Sequence, residues 1–422
     1  MKIVLKLAWR SFRRHKRRAI ITGSAIALGL AMMLVFVGLA DDGHRRMAEM
    51  GIHLGSGNVV VQGNGYQEAQ TLDYLVEDPE QVAEIARGIP GVSQAAVRLN
   101  ASGLLSTGES SAAIAVMGVD PRIEPKISTI ASPRKRLRGH YLRPRDTLDF
   151  ENQPGDIYLG DELAKTLDLE IDDRVVLMVS PRGGGRPASA AFIVRGTFRT
   201  GLIELDSFSA QIDLGDARKL LGTGDAATQV AVMAKDIDDT DAIAAHLRRA
   251  LSGHDRLEIL TWKEALRDLY EGIVLDNVSM YLMMAIIFVI VALGIFNTVL
   301  MSVVERTREL GVMMALGTSK GKLFAAVLLE SFILALVAAA VGLAIGLSLH
   351  AWLHSTGIDI ASLYGENFEF AGIALEGRIY SYLTAGVVIQ WTAVVIGIVL
   401  LSSVYPAYRA SRLEPVEAMR HV

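Results

Sequence analysis

The chain has 422 residues, of which 51% are hydrophobic, and its mean hydropathy is +0.34. An average this apolar excludes an ordinary soluble enzyme and predicts a membrane protein. The formal net charge of −4 gives no basic bias toward nucleic acid, and the absence of cysteine excludes disulfides and thiolate metal sites.

The first 40 residues predict a basic cytoplasmic segment that leads into a membrane span. Residues 1–18 mix Lys and Arg with apolar residues at helical spacing. This pattern fits an amphipathic helix on the inner leaflet, and a simple positive flank fits it equally well. Residues 19–40 contain no charge, and their length exceeds the roughly 7–15 residues of the apolar part of a secretory signal. We therefore expect a retained first span.

Residues 41–276 have the composition of a folded α+β domain. The order strand, helix, strand occurs twice, at 59–61, 78–87 and 95–97 and again at 229–234, 241–251 and 257–260. Asp78, Pro79 and Glu80 suit the first turn of a helix. Two such units, distant in sequence, predict one subdomain that is split by an insertion at about 120–225.

Short β-prone runs within the insertion predict an inserted β-rich subdomain. Two of these runs are joined by an exposed loop that consists of Pro181, Arg182, Gly183, Gly184, Gly185, Arg186 and Pro187. Because loops carried by a sheet often bind partners, this loop is a candidate partner-binding site. A hairpin tip without a role fits the same composition.

Three further apolar stretches, at 278–304, 323–349 and 382–404, are each long enough to cross the hydrocarbon as a helix. The predicted fold class is therefore a membrane α-helical protein with four transmembrane helices. Its extracytoplasmic domain is α+β, with a split strand–helix–strand subdomain and an inserted β-rich subdomain.

The distribution of Lys and Arg predicts the orientation. Basic residues lie before the first span, in the loop at 305–322 and in the tail at 405–422, whereas the loop at 350–381 has only Arg378 against four carboxylates. The positive-inside rule then places both termini and the 305–322 loop in the cytoplasm and residues 41–276 outside.

The sequence has no recognisable catalytic or metal-binding motif, so we predict no catalytic residue, metal or cofactor in this chain. The glycines around Lys320 do not have the spacing of a nucleotide-binding loop, and Leu323 replaces the hydroxyl that would meet Mg²⁺. His350 and His354 are four residues apart on a helix, but no third ligand is evident. We interpret them as anchors at the membrane interface.

Glu330 is a carboxylate inside the third predicted span. Such a group is costly and is a functional candidate by default. Because it lies near the cytoplasmic end, snorkelling or a bond to a neighbouring helix would satisfy it, and we favour this structural role. In the same span, Gly342 and Gly346 form a pair of small residues that permits close helix packing.

Residues 305–317 predict a short amphipathic helix between two spans, with charges in its first turn and an apolar stripe after them. Such a helix could lie on the membrane, or it could dock into a groove on a cytoplasmic partner.

At this point the sequence resembles the FtsX-like, or MacB-type, permease family of ABC transporters. The stretch from Glu305 to Gly317 is similar to the family signature E-R-T-R-E-[IL]-G-x-[LM]-[RM]-A-L-G. The chain's end is similar to the terminal family pattern through Pro406, Ala410, Pro415, Glu417 and Ala418. Within the family, stretches such as Gly118–Pro121 and Leu159–Ala164 resemble the lipoprotein-releasing permeases of the LolC/LolE type. The loop at 180–187 falls where one of those permeases carries a chaperone-binding hook.

The resemblance implies a permease subunit of the bacterial inner membrane that pairs with a second permease, identical or paralogous. A separate cytoplasmic ATPase dimer would bind ATP and Mg²⁺. A periplasmic chaperone or adaptor and a lipoprotein or lipid cargo complete the implied partners. The ATPase contacts implied by the family signature are Glu305, Arg306, Arg308, Glu309, Leu310, Gly311, Met314, Ala315, Leu316 and Gly317.

Two other functions remain open for a member of this family. One is MacB-like efflux of toxins, peptides or antibiotics, and the other is FtsX-like regulation of cell-wall hydrolases without transport. All three use the same mechanical cycle, in which ATP-driven closure moves the external domains.

Overall fold

The computed structural model describes residues 16–133, 135–144, 154–359, 369–370, 373–374 and 378–413. The predicted N-terminal amphipathic helix at 1–18 lies almost entirely outside these residues. Contacts within the chain define two units, which we call the helical unit (Met1–His44, Val274–Asp359 and Arg378–Val422) and the inserted domain (Arg45–Ile273 and Ile360–Gly377).

In chain order, the helices that the structure describes are α1 (Lys16–Gly51), α2 (Tyr66–Ala69), α3 (Pro79–Arg87), α4 (Asp161–Thr166), α5 (Ile203–Phe208), α6 (Leu214–Leu221), α7 (Thr240–Ala250), α8 (Trp262–Ala265), α9 (Arg267–Glu305), α10 (Thr307–Ala315), α11 (Lys320–Thr356) and α12 (Ala385–Ser411). The strands are β1 (Val59–Gly63), β2 (Val92–Ser106), β3 (Ser111–Val119), β4 (Arg136–Gly139), β5 (Gly155–Gly160), β6 (Arg174–Val179), β7 (Ala188–Phe198), β8 (Ser209–Asp213), β9 (Gln229–Ala234), β10 (Leu257–Thr261), β11 (Ile358–Asp359), β12 (Glu369–Phe370), β13 (Ile373–Ala374) and β14 (Arg378–Ile379).

The helices α1, α9, α11 and α12 are each long and apolar enough to cross a membrane. Over their most apolar 18 residues their mean hydropathies lie between 2.3 and 2.7. A helix satisfies all its backbone hydrogen bonds internally, which the hydrocarbon requires of a spanning segment. The four predicted apolar helices are confirmed.

Two of these helices continue well beyond the predicted spans. α1 passes residue 40 and ends at Gly51, where a π-helical turn follows at Ile52–Ser56, and α9 already begins at Arg267. An apolar run marks only the part of a helix that suits hydrocarbon. The helix itself continues through good helix formers such as Met47 and Ala48.

Two glycines let α11 approach α1 closely. A Cβ added to Gly342 would lie 2.7 Å from the carbonyl oxygen of Ala27, and one added to Gly346 would lie 3.1 Å from the Cα of Ala31. The glycine pair found in the sequence therefore lies where these two helices pack closely.

Replacing Gly342 with leucine will push α1 and α11 apart, and overpacking of this kind costs about 1–3 kcal/mol. We expect a lower unfolding temperature for the detergent-solubilised chain. Gly294→Leu on α9 is the matched control, because an added Cβ there meets nothing within 4 Å. Equal unfolding temperatures for the two variants would contradict the close packing.

The two histidines of α11 hold the segment that leads into α12. The Nδ1 of His350 lies 2.8 Å from the Oγ of Ser381, and the Nδ1 of His354 lies 3.0 Å from the Ser381 carbonyl oxygen. Ser381 is fully buried. Among the described residues, no group of three or more His, Asp or Glu side chains could hold a metal ion.

One mixed sheet runs through the inserted domain, in the order β10-β1-β9-β2-β3-β8-β5-β7-β4. At one end, β10, β1, β9 and the first part of β2 are antiparallel neighbours, with α3 and α7 packed on them. These are the strands and helices of the two predicted strand–helix–strand segments. The split subdomain is therefore confirmed.

The remaining strands of this sheet are β3 to β8. Most of them form a small barrel together with the second part of β2. β6 pairs with both β7 and β2, which completes the ring β2-β3-β8-β5-β7-β6. β2 belongs to both the antiparallel end of the sheet and the barrel, because Val92–Arg98 pairs with β9 and Gly103–Ser106 pairs with β6. Fully buried side chains such as Leu105 and Leu177 belong to one core that extends through both parts. In a barrel this small, side chains fill the interior.

Candidate functional site

The short helix α10 has an outward side and an inward side. Leu316 is 82% exposed, whereas Leu310 is only 4% exposed. Of the predicted ATPase contacts, the exposed ones are Glu305, Arg308, Glu309, Ala315, Leu316 and Gly317, and the buried or half-buried ones are Arg306, Leu310, Gly311 and Met314. The first group can meet a partner, and the second group packs against the chain itself.

The inward side of α10 packs on the ends of the neighbouring long helices. Leu310 shares a buried cluster with Leu323 of α11 and Ala410 of α12. Pro406, one turn before Ala410, is also buried inside α12. The first half of the C-terminal family motif therefore supports α10. The remaining motif residues, Pro415, Glu417 and Ala418, lie outside the described residues.

Glu330 of α11 has a charged partner, Arg306, which directly precedes the first residue of α10. The Nη1 of Arg306 donates to the Oε2 of Glu330 at 2.8 Å, and the two side chains are only 19% and 27% exposed. The Nε of Arg306 also lies 3.4 Å from the Oε2 of Glu309. This geometry fits the structural interpretation of Glu330, and it turns Arg306 inward.

The candidate partner-binding loop connects β6 and β7, and its base is fixed. The backbone nitrogen of Arg182 donates to the carbonyl oxygen of Leu221, and its Nη2 lies 2.9 Å from a carboxylate oxygen of Glu77. The tip is exposed, and the φ angles of Gly183, Gly184 and Gly185 lie between 75° and 113°. Glycine adopts this left-handed region without strain. Arg186 and Pro187 are exposed beside the tip.

An apolar cavity of about 320 Å³ lies among α1, α9 and α12, entirely within the helical unit. Its described lining residues are Ile26, Gly29, Leu30, Met32, Met33, Phe36, Met283, Met284, Ile287, Phe288, Val291, Ile295, Val395, Ile398 and Val399. No motif in the sequence predicted this cavity. A paired-methionine pattern at 32–33 and 283–284 was the only available signal, because methionine often lines adaptable apolar surfaces.

A buried ion pair lies where α1 ends in the inserted domain. Arg98 on β2 and Glu124 in the turn after β3 are each 1% exposed, and their nearest atoms, Nη2 and Oε1, are 2.7 Å apart. The Nη1 of Arg98 also donates to the carbonyl oxygen of Gly55, in the π-helical turn. This pair could not be predicted from the sequence, because single charges far apart in the chain give no local pattern.

A second charged cluster stabilises the start of α4. The Asp161 carboxylate is 2% exposed and lies 2.9 Å from Lys165 Nζ and 3.2 Å from Arg199 Nη2. Burial raises the pKa of Asp161, but hydrogen bonding and charge from these two cations and Arg138 outweigh burial and hold the pKa below its usual range. This arrangement is structural and suggests no catalysis.

Two family models match the chain. One is described as the FtsX-like permease C-terminal region and matches residues 281–415. The other is described as the MacB-like periplasmic core domain and matches residues 19–250.

Individual proteins match over nearly the whole chain. The lipoprotein-releasing system transmembrane protein LolC of Xylella fastidiosa (strain Temecula1) is 23% identical over 414 residues, which cover 94% of this chain and 92% of that protein. The uncharacterized ABC transporter permease YknZ of Bacillus subtilis (strain 168) is 23% identical over 442 residues, or 99% and 98% of the two chains. The crystal structure of the periplasmic region of MacB from Actinobacillus actinomycetemcomitans is 13% identical, with a TM-score of 0.35, and the match covers 51% of this chain and 94% of that one.

Proposed function

The chain belongs to the ABC-transporter permeases with FtsX-like and MacB-like regions, and from this premise we propose that it releases lipoproteins or other lipid-anchored cargo from a membrane. The membrane is the bacterial inner membrane, and cargo leaves its outer leaflet. The LolC proteins among its relatives are named for a lipoprotein-releasing system, which supports this choice of cargo.

The observation that carries the proposal is the apolar cavity among α1, α9 and α12. All its described lining residues except Gly29 have apolar side chains. A cavity of about 320 Å³ without charge, within membrane-spanning helices, suits an acyl chain far better than a polar solute. Methionines on α1 and α9 can adapt to chains of different shape.

A separate cytoplasmic ATPase would supply the energy, and ATP and Mg²⁺ would bind there. Its docking surface is the outward side of α10, where Arg308, Glu309 and Leu316 are exposed. The basic residues of the 305–322 loop favour the cytoplasm, and the inserted domain then lies on the opposite side. A second permease chain, identical or paralogous, completes the complex. A periplasmic chaperone or adaptor would dock on the exposed tip at 183–185.

Filling the cavity will impair cargo release. A Cβ added to Gly29 meets nothing within 4 Å, so Gly29→Phe places a ring in the cavity without displacing backbone. We expect release of a fluorescent diacylated lipopeptide from proteoliposomes, by the complex purified with its own ATPase, to fall about tenfold. ATP hydrolysis should stay near the wild-type rate, because α10 is untouched.

The control is Gly397→Phe on α12, where an added Cβ also meets nothing within 4 Å but the residue does not line the cavity. Unimpaired lipopeptide release by Gly29→Phe would contradict a role for the cavity. ATP-dependent export of a macrolide, with no release of the lipopeptide by the wild-type complex, would favour the efflux alternative.

A further inference from the structure

The strand β4 and its flanks carry a run of cations in the inserted domain. Residues 132–145 contain six Lys and Arg residues and no Asp or Glu, although the whole chain has a net charge of −4. Four of the six belong to the described residues, namely Lys135, Arg136, Arg138 and Arg143. Arg136 and Arg138 lie on β4 itself, whose four residues are all exposed. Cations this dense create a local field that attracts anions.

β4 is a well-fixed edge of the sheet. It stands last in the strand order and, among the described strands, pairs only with β7. Next to its two ends, the nitrogen of Arg199 donates to the carbonyl oxygen of Lys135 at 2.9 Å, and the nitrogen of His140 donates to that of Arg195 at 2.8 Å. A Cβ on Gly139 would collide with the Arg195 carbonyl oxygen, so glycine permits this close pairing. The arginines of β4 are therefore held by a fixed backbone.

The cations at this edge outnumber the carboxylates. Three half-exposed cations surround the buried Asp161 carboxylate at distances of 2.9–3.5 Å, namely Lys165, Arg199 and Arg138. Within the described chain, Glu162 is the only other carboxylate that pairs with any of these three. Arg136 forms no ion pair with a described residue. The edge is therefore positive overall, and we call Arg136, Arg138, Lys165 and Arg199 the basic edge.

Charged residues on an edge strand also prevent pairing with another sheet. That role explains Arg136 and Arg138, but it does not explain Lys165 and Arg199, which lie outside β4. It also does not require several cations around one carboxylate. The arrangement brings guanidinium groups together on an exposed surface, and the planar fork of a guanidinium matches the oxygens of a phosphate.

The composition of the basic edge suits a lipid surface better than a protein partner. A protein interface has an apolar core, whereas Leu137, which is 46% exposed, is the only apolar residue of β4. The spanning helices keep the chain in a bilayer, so lipid headgroups are the phosphates with the highest effective concentration. Anionic lipid surfaces attract clusters of basic side chains, and each cation adds to the affinity.

We propose that the basic edge binds the phosphate headgroups of anionic lipids. This inference goes beyond the proposed function, because it does not depend on the cargo. Leu142, three residues after the end of β4, is buried in one cluster with Leu54 of the π-helical turn. Lipid binding at β4 therefore restrains a segment that packs against the turn that follows α1.

A fluorescent label on the basic edge tests this binding. The chain has no cysteine, so Leu137→Cys in the full-length chain, held in phosphatidylcholine nanodiscs, takes an environment-sensitive fluorophore at one site. The label reports contact at β4, so lipid binding by the basic N-terminal segment does not contribute. Vesicles that contain phosphatidylglycerol should change its emission, and pure phosphatidylcholine vesicles should not. High salt should abolish the change, because salt screens exposed charges.

Replacing Arg136 and Arg138 together with glutamine should raise the phosphatidylglycerol concentration needed for half of the response, by roughly fivefold for each arginine. Arg174→Gln on β6 is the matched control, because Arg174 is exposed but lies outside the basic edge. Arg136→Gln alone, which breaks no ion pair with a described residue, repeats the test if the double variant fails to fold.

Equal responses to the two kinds of vesicle, or an unchanged response in the arginine variants, would overturn the inference. Saturation by glycerol phosphate at the same phosphate concentration would assign the basic edge to a free anion and overturn it as a lipid site. A response to polyglutamate, with none to phosphatidylglycerol vesicles, would assign it to an acidic protein and overturn the inference as well. Each of these outcomes leaves the proposed function in place, because lipopeptide release is measured separately.

Discussion

Replacing Arg98 with methionine will lower the stability of the inserted domain by about 3–5 kcal/mol, the cost of leaving one member of a buried ion pair without its partner. Glu124 is 1% exposed and accepts two hydrogen bonds from Arg98, at 2.7 Å and 3.2 Å. Methionine fills much of the space but provides no donor for this carboxylate. The carbonyl oxygen of Gly55 loses its Arg98 donor too, although Gln229 Nε2 still lies 3.3 Å away.

Hydrogen exchange of the β2 amides in the full-length chain measures this loss, because protection of core strands reports the free energy of opening. Arg174→Met on β6 is the matched control, since Arg174 is exposed. Adding Glu124→Leu to Arg98→Met should restore most of the protection, because an apolar pair often replaces a buried ion pair at little cost. Protection in Arg98→Met within about 1 kcal/mol of wild type would contradict the assignment.

Replacing Glu330 with glutamine will release α10 from α11 and uncouple ATP hydrolysis from cargo release. The Nη1 of Arg306 then meets a neutral amide oxygen in place of the Glu330 carboxylate, and hydrogen bonds to charged groups contribute about 1.5–3 kcal/mol. We expect ATPase binding to persist, because the exposed Arg308 and Leu316 are unchanged. Cargo released per ATP hydrolysed should fall.

The natural chain has no cysteine, so a single Val312→Cys site, which is exposed and is not one of the predicted ATPase contacts, can carry a spin label on α10. The label should become more mobile in Glu330→Gln, and the exchange Arg306→Glu with Glu330→Arg should partly restore its order. Glu271→Gln removes an exposed ion pair with Arg267 on α9 and serves as the control, because such pairs contribute only about 0–1 kcal/mol. Unchanged mobility and coupling in Glu330→Gln would show that the ion pair does not position α10.

Several features of the fold could be predicted from local patterns. The four apolar helices follow from run length, since the cost of burying polar groups in hydrocarbon acts on each segment separately. The strand β9 and the helix α3 were also evident, the latter because Asp78 and Pro79 mark its start. The family assignment followed from the stretch at 305–317, whose residues form one continuous segment.

The candidate sites were predicted less completely. The sequence indicated α10 as a whole but not its sidedness, so Leu310 and Arg306 stood among the predicted partner contacts although they face inward. Only the packing of α10 on α11 and α12 separates these residues from the exposed ones. The barrel was also not predicted, because the pairing of β6 with β2 joins segments about 70 residues apart. Loop closure over such distances leaves no local sequence pattern.

By itself, the sequence determined which segments suit a membrane, which residues form the family signature and which strands and helices form the split subdomain. These properties depend on hydrophobicity and periodicity within short stretches of chain. The tertiary structure alone decided that Arg98 meets Glu124, that Arg306 meets Glu330 and that side chains of α1, α9 and α12 line one apolar cavity. Each of these depends on residues that are distant in the chain and adjacent only after folding, because side-chain contacts follow from packing geometry and strand register.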